Sequence, residues 1–527
     1  MKGKLRLSLV IFLGLIELVW AVKPPPQELP RKVAILPFVN HSSKPEAADI
    51  LRKMFYNFFS SLPYQDMEPF RVDEILSRHG LYEDVASGKI TDASRLCSLL
   101  GVDAVIFGEV TTFGKFYLLI YSEVRAGLKA RMVDRKGRVI WEDQETSHLR
   151  KGGIGLNPLG IAANAVRALV NLRDISKMRV SADLCLKMVN TIPKPKRIVP
   201  PGPEIKVFVH NGAWKLLQPG DTLKVVLVGA PGNTGSWDIL SAVKGLPLEE
   251  KRPGIYVGAY TVPPGLRVSY GKLVAHLRSK EGGESLWYDV LGPVSLGKPT
   301  LIPEKITGPV RLSPEKSPYI IQGISVVMPQ GGLTVPAGTT IWVQGLGLVV
   351  RGKFLVEGRP KAPVRFLAYG SKRWKGIFIQ TPYRVILNHC EISGAEHALV
   401  ARNAILQLSG VRLMGNVTGI EAERSELSIA DSVVEHSEGV GLKIRKAALK
   451  MVRSSITNNK GGGILLEDVQ ALLEKNNIFQ NGPWNLKVLS GADGVEARLN
   501  WWGAPEEHET GVLGGVKISP AKSPYNY

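Results

Sequence analysis

Gly419-Ile420-Glu421-Ala422, Gly441-Leu442-Lys443-Ile444 and Gly463-Ile464-Leu465-Leu466 open three copies of one 22-residue pattern. Leu427, Leu449 and Ala471 then recur in register, as do Ile429, Met451 and Leu473, and Val434, Ile456 and Ile478. Each copy holds short alternating apolar pairs between polar corners, which is strand spacing and not helical spacing. A period near 22 with several short strands per copy predicts one rung of a parallel β-helix. Such a rung cannot bury its apolar face alone, so the copies must stack.

Rungs are expected upstream as well. Leu333 to Ile341 reads as an opening rung and Leu348 to Gly358 as a second. Trp374-Lys375-Gly376-Ile377 starts a third and Ala398-Leu399-Val400-Ala401 a fourth, and Asn500-Trp501-Trp502-Gly503-Ala504 closes the series. Over residues 320–507 this set resembles the right-handed parallel β-helix repeat proteins of the pectate-lyase-like superfamily. The resemblance implies the fold and says little about chemistry. The same stretch also resembles a periplasmic accessory family linked to copper-site maturation. Copper handling favours clustered Met, His or Cys, whereas Met451 lies in an apolar column and the nine His are scattered. No metal and no other cofactor is expected.

A polysaccharide-cleaving β-helix needs clustered carboxylates, either to bind calcium or to act as acid and base. The columns here instead tend to alternate in sign. Glu421 falls above Lys443, Glu423 above Arg445, Arg445 above Glu467, and Asp431 above Arg453, with Lys475 breaking the pattern. Rungs stand about 4.8 Å apart, so opposite charges form a near-neutral surface ladder. Ser437, Asn459 and Asn481 share a corner column beside His436, Asn458 and Gln480. Asn side chains can satisfy bent backbone from rung to rung, a structural reading favoured over a glycan-binding strip. Glu435, His436, Glu467 and Asp468 are the residues that a catalytic reading would use, and no catalytic residue is assigned.

Two further modules precede the β-helix. In the first, over residues 31–197, Lys32 to Phe38 reads as a buried strand. Ala48, Leu51, Met54, Phe55 and Phe58 mark a helix from about Pro45 to Ser60. Val72 to Leu76 starts another short helix, and Asp92 to Leu100 is a further helix stopped by Gly101. Val102–Val110, Phe116–Tyr121, Gly127–Val133 and Val139–Glu142 are strands, so the module is α/β. The segments Val33 to Phe38 with Asn40, Leu100 to Gly108, Val133-Asp134 and Trp141-Glu142, and the Gly-rich Gly152–Gly160 before an apolar helix Ile161–Leu172, resemble bacterial envelope lipoproteins with a TolB/CsgG-like α/β domain. That resemblance implies an envelope location and an accessory role in transport or assembly, and brings no catalytic residue. The lipobox Cys of the family is missing near residue 21.

The Pro-rich segment Ile192 to Pro203 reads as a semi-rigid linker. Residues 204–297 then offer six strands, Ile205–His210, Thr222–Val228, Ser236–Leu240, Gly254–Val262, Lys272–Arg278 and Ser285–Val290, separated by Pro/Gly turns. That spacing predicts an immunoglobulin-like β-sandwich serving as a spacer, with Trp214, Trp237 and Trp287 as core anchors. A second Pro-rich stretch, Lys298 to Pro318, leads into the β-helix.

Lys2, Lys4 and Arg6 before the apolar run Leu7–Trp20, with Val19-Trp20-Ala21, read as a signal peptide over residues 1–21. Lys and Arg (67) outnumber Asp and Glu (47) in the 527 residues, a net +20 that becomes +18 without the signal. The charge suits acidic glycans or lipid headgroups; no nucleic-acid motif accompanies it. Three Cys are too few for a disulfide framework. Cys97 and Cys185 share a module and either pair or stay separate; Cys390 reads as a core residue.

The expectation is an exported, periplasmic or envelope-associated protein, at most peripheral to a membrane. Its role is binding or scaffolding, with an envelope protein, an acidic glycan or lipid headgroups as partner. The alternative is a carbohydrate-active β-helix lyase or hydrolase.

Overall fold

The computed structural model describes residues 29–42, 44, 46–118, 121–150, 172–196, 199–370, 372–503 and 511–525. The signal segment, the Gly152–Gly160 run and the helix expected from Ile161 lie outside the described residues.

The first module is a sheet covered on both faces. Its strands are β1 (Lys32–Ile35), β2 (Val39–Asn40), β3 (Gln65–Met67), β4 (Ala104–Leu118), β5 (Tyr121–Asp134) and β6 (Val139–Arg150). The order is β3-β1-β4-β5-β6, with β2 on β4. The apolar run at β1 has no polar alternation because both faces are buried. Val33 and Ile35 pack under α1 (Ala47–Phe59) and the final helix α5 (Leu172–Thr191). Ala34 and Leu36 pack on the other side under α2 (Pro69–Arg78) and α4 (Ala93–Leu100), beyond the short α3 (Tyr82–Ala86). Asp92 caps α4 by accepting from Arg95 N, and Gly101 ends it at φ +67°, as Asp and Gly at those positions predict. The expected separate strand Phe116–Tyr121 does not exist. Phe116–Leu118 end β4 and Tyr121 begins β5, and the antiparallel ladder between them runs on to Leu118 and Tyr121. Cys97 and Cys185 are free buried thiols on opposite faces of this sheet, so the sheet itself keeps them apart.

The middle module is all-β. Its strands are β7 (Ile205–His210), β8 (Leu216–Leu217), β9 (Thr222–Gly229), β10 (Thr234–Ile239), β11 (Val243–Arg252), β12 (Ile255–Thr261), β13 (Val268–Gly271), β14 (Leu273–Arg278), β15 (Glu284–Tyr288) and β16 (Val294–Leu296). Seven form the path β15-β14-β10-β11-β12-β9-β7, and β13-β16-β8 form a small second sheet. All six expected strands are present. Four strands were not expected, the short β8, β13 and β16 and the ten-residue β11; β11 carries Pro247 and four consecutive charges (Glu249–Arg252) and so resembles a loop. It pairs with β10 through Val243–Leu248 and with β12 through Glu249–Arg252, which turns the sheet over along its length. Trp237 and Trp287 are buried as expected, but Trp214 is 44% exposed. Trp214 stands at φ +55° with its indole N–H donating to Leu291 O at 3.0 Å. Its ring occupies the space a side chain at Gly292 would need, since a Cβ there would lie 2.2 Å from Nε1.

The solenoid is a three-faced prism, and ten strands stack on one face alone. One face includes Thr418–Glu423, Val440–Arg445 and Gly462–Glu467; a second includes Glu426–Ala430, Ala448–Val452 and Gln470–Glu474; a third includes Val433–Glu435, Ser455–Thr457 and Asn477–Phe479. Leu427, Leu449 and Ala471 are in register, as are Val434, Ile456 and Ile478. The repeat glycines are explained by the stack. A Cβ at Gly463 would lie 2.2 Å from Asn485 O, and one at Gly419 would lie 2.4 Å from Gly441 O. Corners are made by left-handed residues, among them Asn403, Arg424, Lys446 and Asp468, and His436, Asn458 and Gln480. The asparagine column forms a buried ladder: Asn459 Oδ1 accepts from Ser437 N at 3.0 Å, and Asn481 Oδ1 accepts from Asn459 Nδ2 at 2.9 Å. A second ladder, Ser432-Ser454-Asn476-Asn500, was not anticipated. The charge ladder forms as its columns predict, with Arg445 2.9 Å from Glu423 and Arg453 2.7 Å from Asp431. Each such exposed pair is worth about 0–1 kcal/mol.

The stretch from Lys298 to Pro318 is part of the solenoid and not a lead-in. Thr300–Leu301, Lys305–Ile306 and Pro309–Arg311 pair in parallel with the rungs that follow. Two- and three-residue strands tolerate prolines at their corners and edges. One rung is longer than its neighbours. Leu355 aligns with Ile386, 31 residues on, whereas the next four rungs step by 21 or 22.

The linker expected between the first two modules is not a free spacer. Helix α1 is buried on two sides, and its outer side packs on β15. Phe58 meets Trp287 edge-on at 5.3 Å and Tyr56 meets Tyr288 at 5.5 Å. Asn57 donates to Tyr288 O at 2.9 Å and accepts from Tyr288 N at 2.8 Å. The apolar cores of the two modules are continuous.

Candidate functional site

The third face of the solenoid is occupied. Leu216 of the middle module covers the outward-facing Ile320, Trp342 and Leu367. Farther along, Glu435 ends its strand pointing out of the prism, yet it is fully buried. Lys44 closes over it. The loop between β2 and α1 is shaped by Asn40, whose side chain accepts from Ser42 N and donates to Lys44 O at 2.8 Å. This aims Lys44 Nζ to within 2.5 Å of Glu435 Oε2, while His436 Nδ1 lies 3.1 Å from the same oxygen. Burial by itself would raise the Glu435 carboxyl; the Lys44 ammonium and the His436 ring overcome that and hold it well below the usual carboxylate range. Glu435 is thus a fixed anion that locks the first module to the solenoid.

The other three residues of the catalytic reading are elsewhere or open. His436 is a left-handed corner residue (φ +56°) with its side chain 41% exposed. Glu467 ends a strand of the first face opposite Arg445. Asp468, the next corner residue, accepts from Ser490 Oγ at 2.6 Å. Glu435 and His436 therefore share one edge of the prism, and Glu467 and Asp468 share another. The structure brings neither pair to the other. Among the described residues no group of three or more His, Cys, Asp or Glu could hold a metal, and no helix is long and apolar enough to cross a membrane.

The second face is open. Its outward side carries a groove of about 450 Å³ over Val310, Leu355 and Ile386, with the ring of Tyr383 at one wall. Arg311, Lys353 and Arg384 rim it. Arg311 is paired with Glu357 at 2.6 Å, and the Lys353 ammonium stands 5.4 Å from the centre of the Tyr383 ring. Tyr383 is 40% exposed, a flat apolar surface beside cations. On the same side, the corner column Asn403, Arg424, Lys446 and Asp468 borders a shallower depression of about 670 Å³. Sequence reading did not find Arg311, Lys353, Tyr383 and Arg384. They fall in different columns, Arg311 with Thr334 and Leu355 and Lys353 with Pro309 and Gly332, and Tyr383 and Arg384 lie beyond the 31-residue step between Leu355 and Ile386, so no single spacing marks them.

Residues 26–190 match the family described as "Putative lipoprotein GNA1162-like", and residues 370–501 match the right-handed β-helix region family. Both resemblances read from the sequence are thereby shown. Solved structures similar to this chain include the lipoprotein GNA1162 from Neisseria meningitidis, at 22% identity over 26% of this chain and 96% of that one (TM-score 0.23). The PelC dodecamer from Paraburkholderia phytofirmans matches at 14% identity over 31% and 87% (TM-score 0.18). The hypothetical protein CT253 from Chlamydia trachomatis matches at 12% over 31% and 92% (TM-score 0.21). No curated protein matches the chain. The lipoprotein-like module suggests an envelope-associated protein.

Proposed function

We propose that the chain is an exported cell-envelope protein with a non-enzymatic binding and scaffold role in envelope transport or assembly. The open second face of the solenoid takes a linear acidic ligand of the glycan class, and the lipoprotein-like module meets an envelope protein partner. The middle module, an immunoglobulin-like sandwich in this reading, works as a rigid adaptor and not as a flexible spacer. The observation that carries the proposal is the groove on that face: an apolar floor, one aromatic wall and the cations Arg311, Lys353 and Arg384 at its rim. Glu435, the buried member of the catalytic candidates, is committed to Lys44.

The test uses the purified full chain with polygalacturonate and alginate as acidic probes and dextran as the neutral one. Retention of the acidic probes alone, weakened at least tenfold in K353E/R384E and by added salt, is the expected result. Equal affinity for dextran, or wild-type affinity in the double variant, would refute the binding site. Release of unsaturated or reducing-end products would refute the non-enzymatic role.

A further inference from the structure

The groove of the second face does not end at Arg384. In one outward column, Pro309, Gly332, Lys353 and Arg384 line that groove. The next three members of the column, Ile405, Glu426 and Ala448, line the shallower depression of about 670 Å³. Thr381 and Pro382, which also line the depression, run directly into Tyr383 and Arg384 of the groove. The two hollows are therefore one track parallel to the solenoid axis. It crosses seven strands of the second face, a run of about 29 Å at the usual rung spacing.

The two ends of the track differ in charge. The groove is lined by the cations Arg311, Lys353 and Arg384 and by no carboxylate. Arg311 is already paired with Glu357, which leaves Lys353 and Arg384 for a ligand. The depression holds two cations, Arg424 and Lys446, and two carboxylates, Glu426 and Asp468. Among the described residues no ion pair joins the first two to the last two: Arg424 stands 3.6 Å from Glu423, and Asp468 accepts from Ser490. Glu426 and Asp468 are exposed, so both charges meet whatever lies in the depression.

A ligand carboxylate over Lys353 and Arg384 gains two favourable contacts. The same group moved into the depression meets Glu426 and Asp468, and like charges brought together across an interface carry a penalty. A hydroxyl fits there instead. It donates to a carboxylate and accepts from an ammonium, a guanidinium or an amide such as that of Asn403. We infer that the track selects a heteropolysaccharide whose acidic sugars are separated by neutral ones, with an acidic unit over Lys353 and Arg384 and neutral units over Glu426 and Asp468. This selectivity rests on the glycan-binding role proposed for the second face. Glu426 and Asp468 are its specificity-determining residues, because turning away a uniformly acidic chain needs a repulsive element as well as an attractive one.

The experiment measures binding of the full chain to gellan fragments, whose uronates are separated by neutral sugars, and to polygalacturonate fragments of matched length, at constant ionic strength. Gellan should bind at least tenfold more tightly. E426Q/D468N keeps both side chains polar and keeps a residue suited to the left-handed corner at 468, and the preference for gellan should fall at least fivefold in it. E249Q/E281Q removes the same charge from exposed positions of the middle module and should keep the wild-type preference. Equal affinity for the two polymers, an unchanged preference in E426Q/D468N, or the same fall in E249Q/E281Q would overturn the selectivity while leaving an acidic-glycan face in place. Failure of both polymers to bind, or dextran binding as well as they do, removes that face and the selectivity together.

Discussion

Replacing Lys44 by Met leaves the Glu435 carboxylate buried and without its cation. In the wild type both side chains are almost wholly inaccessible, at 4% and 0%, so neither charge can recover its hydration by moving. Removing one partner of such a buried pair costs about 3–5 kcal/mol. The carboxyl limits that cost by taking up a proton, which fixes the sign of the pH dependence. In the wild type its folded pKa lies below the ordinary value. The stabilisation is therefore complete above about pH 4.3 and is lost only as pH falls through the lower folded value. In K44M burial dominates, the folded pKa rises above the ordinary value, and stability should increase as pH falls from 7 towards 5. The double variant K44M/E435M removes both charges and should recover to within about 1–2 kcal/mol of wild type, since apolar replacement of a buried pair is often neutral. The assay is urea unfolding of the full chain at pH 5 and 7 by tryptophan fluorescence, with limited proteolysis reporting release of the first module. If K44M unfolds within about 1 kcal/mol of wild type at pH 7, with the same pH slope, the latch does not hold the modules together.

Asn459→Ala removes the acceptor for Ser437 N and the donor to Val434 O. Each buried group left unpaired costs about 1–3 kcal/mol, so the solenoid should unfold at clearly lower denaturant while Asn458→Gly, at the neighbouring left-handed corner position, changes little. Gly463→Ala places a methyl against Asn485 O and should cost about 1–3 kcal/mol or more, as overpacking does; unchanged thermal unfolding would mean the rungs can separate there. Burial pushes the Cys97 thiol up to about 11 and raises Cys185 and Cys390 further. None of the three should react with iodoacetamide at pH 8 in the native chain, and all three should react once the chain is unfolded in urea.

What could be read in advance follows from sequence distance. The rungs are legible because the residues that stack are 21 or 22 apart, so one column repeats many times and its apolar, glycine, asparagine and charge members all show. The same holds for α4, whose cap and stop are local, and for six strands of the middle module. Reading fails where local signals mislead. β11 looks like a loop because of its charges and Pro247, although β10 pairs with its first half and β12 with its second. The ladder through Ser454 and Asn476 escaped because serine and asparagine alternate in one column. The open groove escaped because its residues fall in different columns and one long rung breaks the period.

The sequence by itself determined the stack, the α/β and all-β modules, and the cancellation of charge between rungs, each a pattern repeated within a few tens of residues. Only the tertiary structure decided how the modules are joined. Lys44 and Glu435 are 391 residues apart, and Asn57 and Tyr288 are 231 apart. A single contact at such separation leaves no periodicity to detect, because it depends on surface shape and burial and not on spacing. The long rung that obscured the period is also the one that carries Lys361 to the first module, where it caps the Tyr82 ring at 3.9 Å.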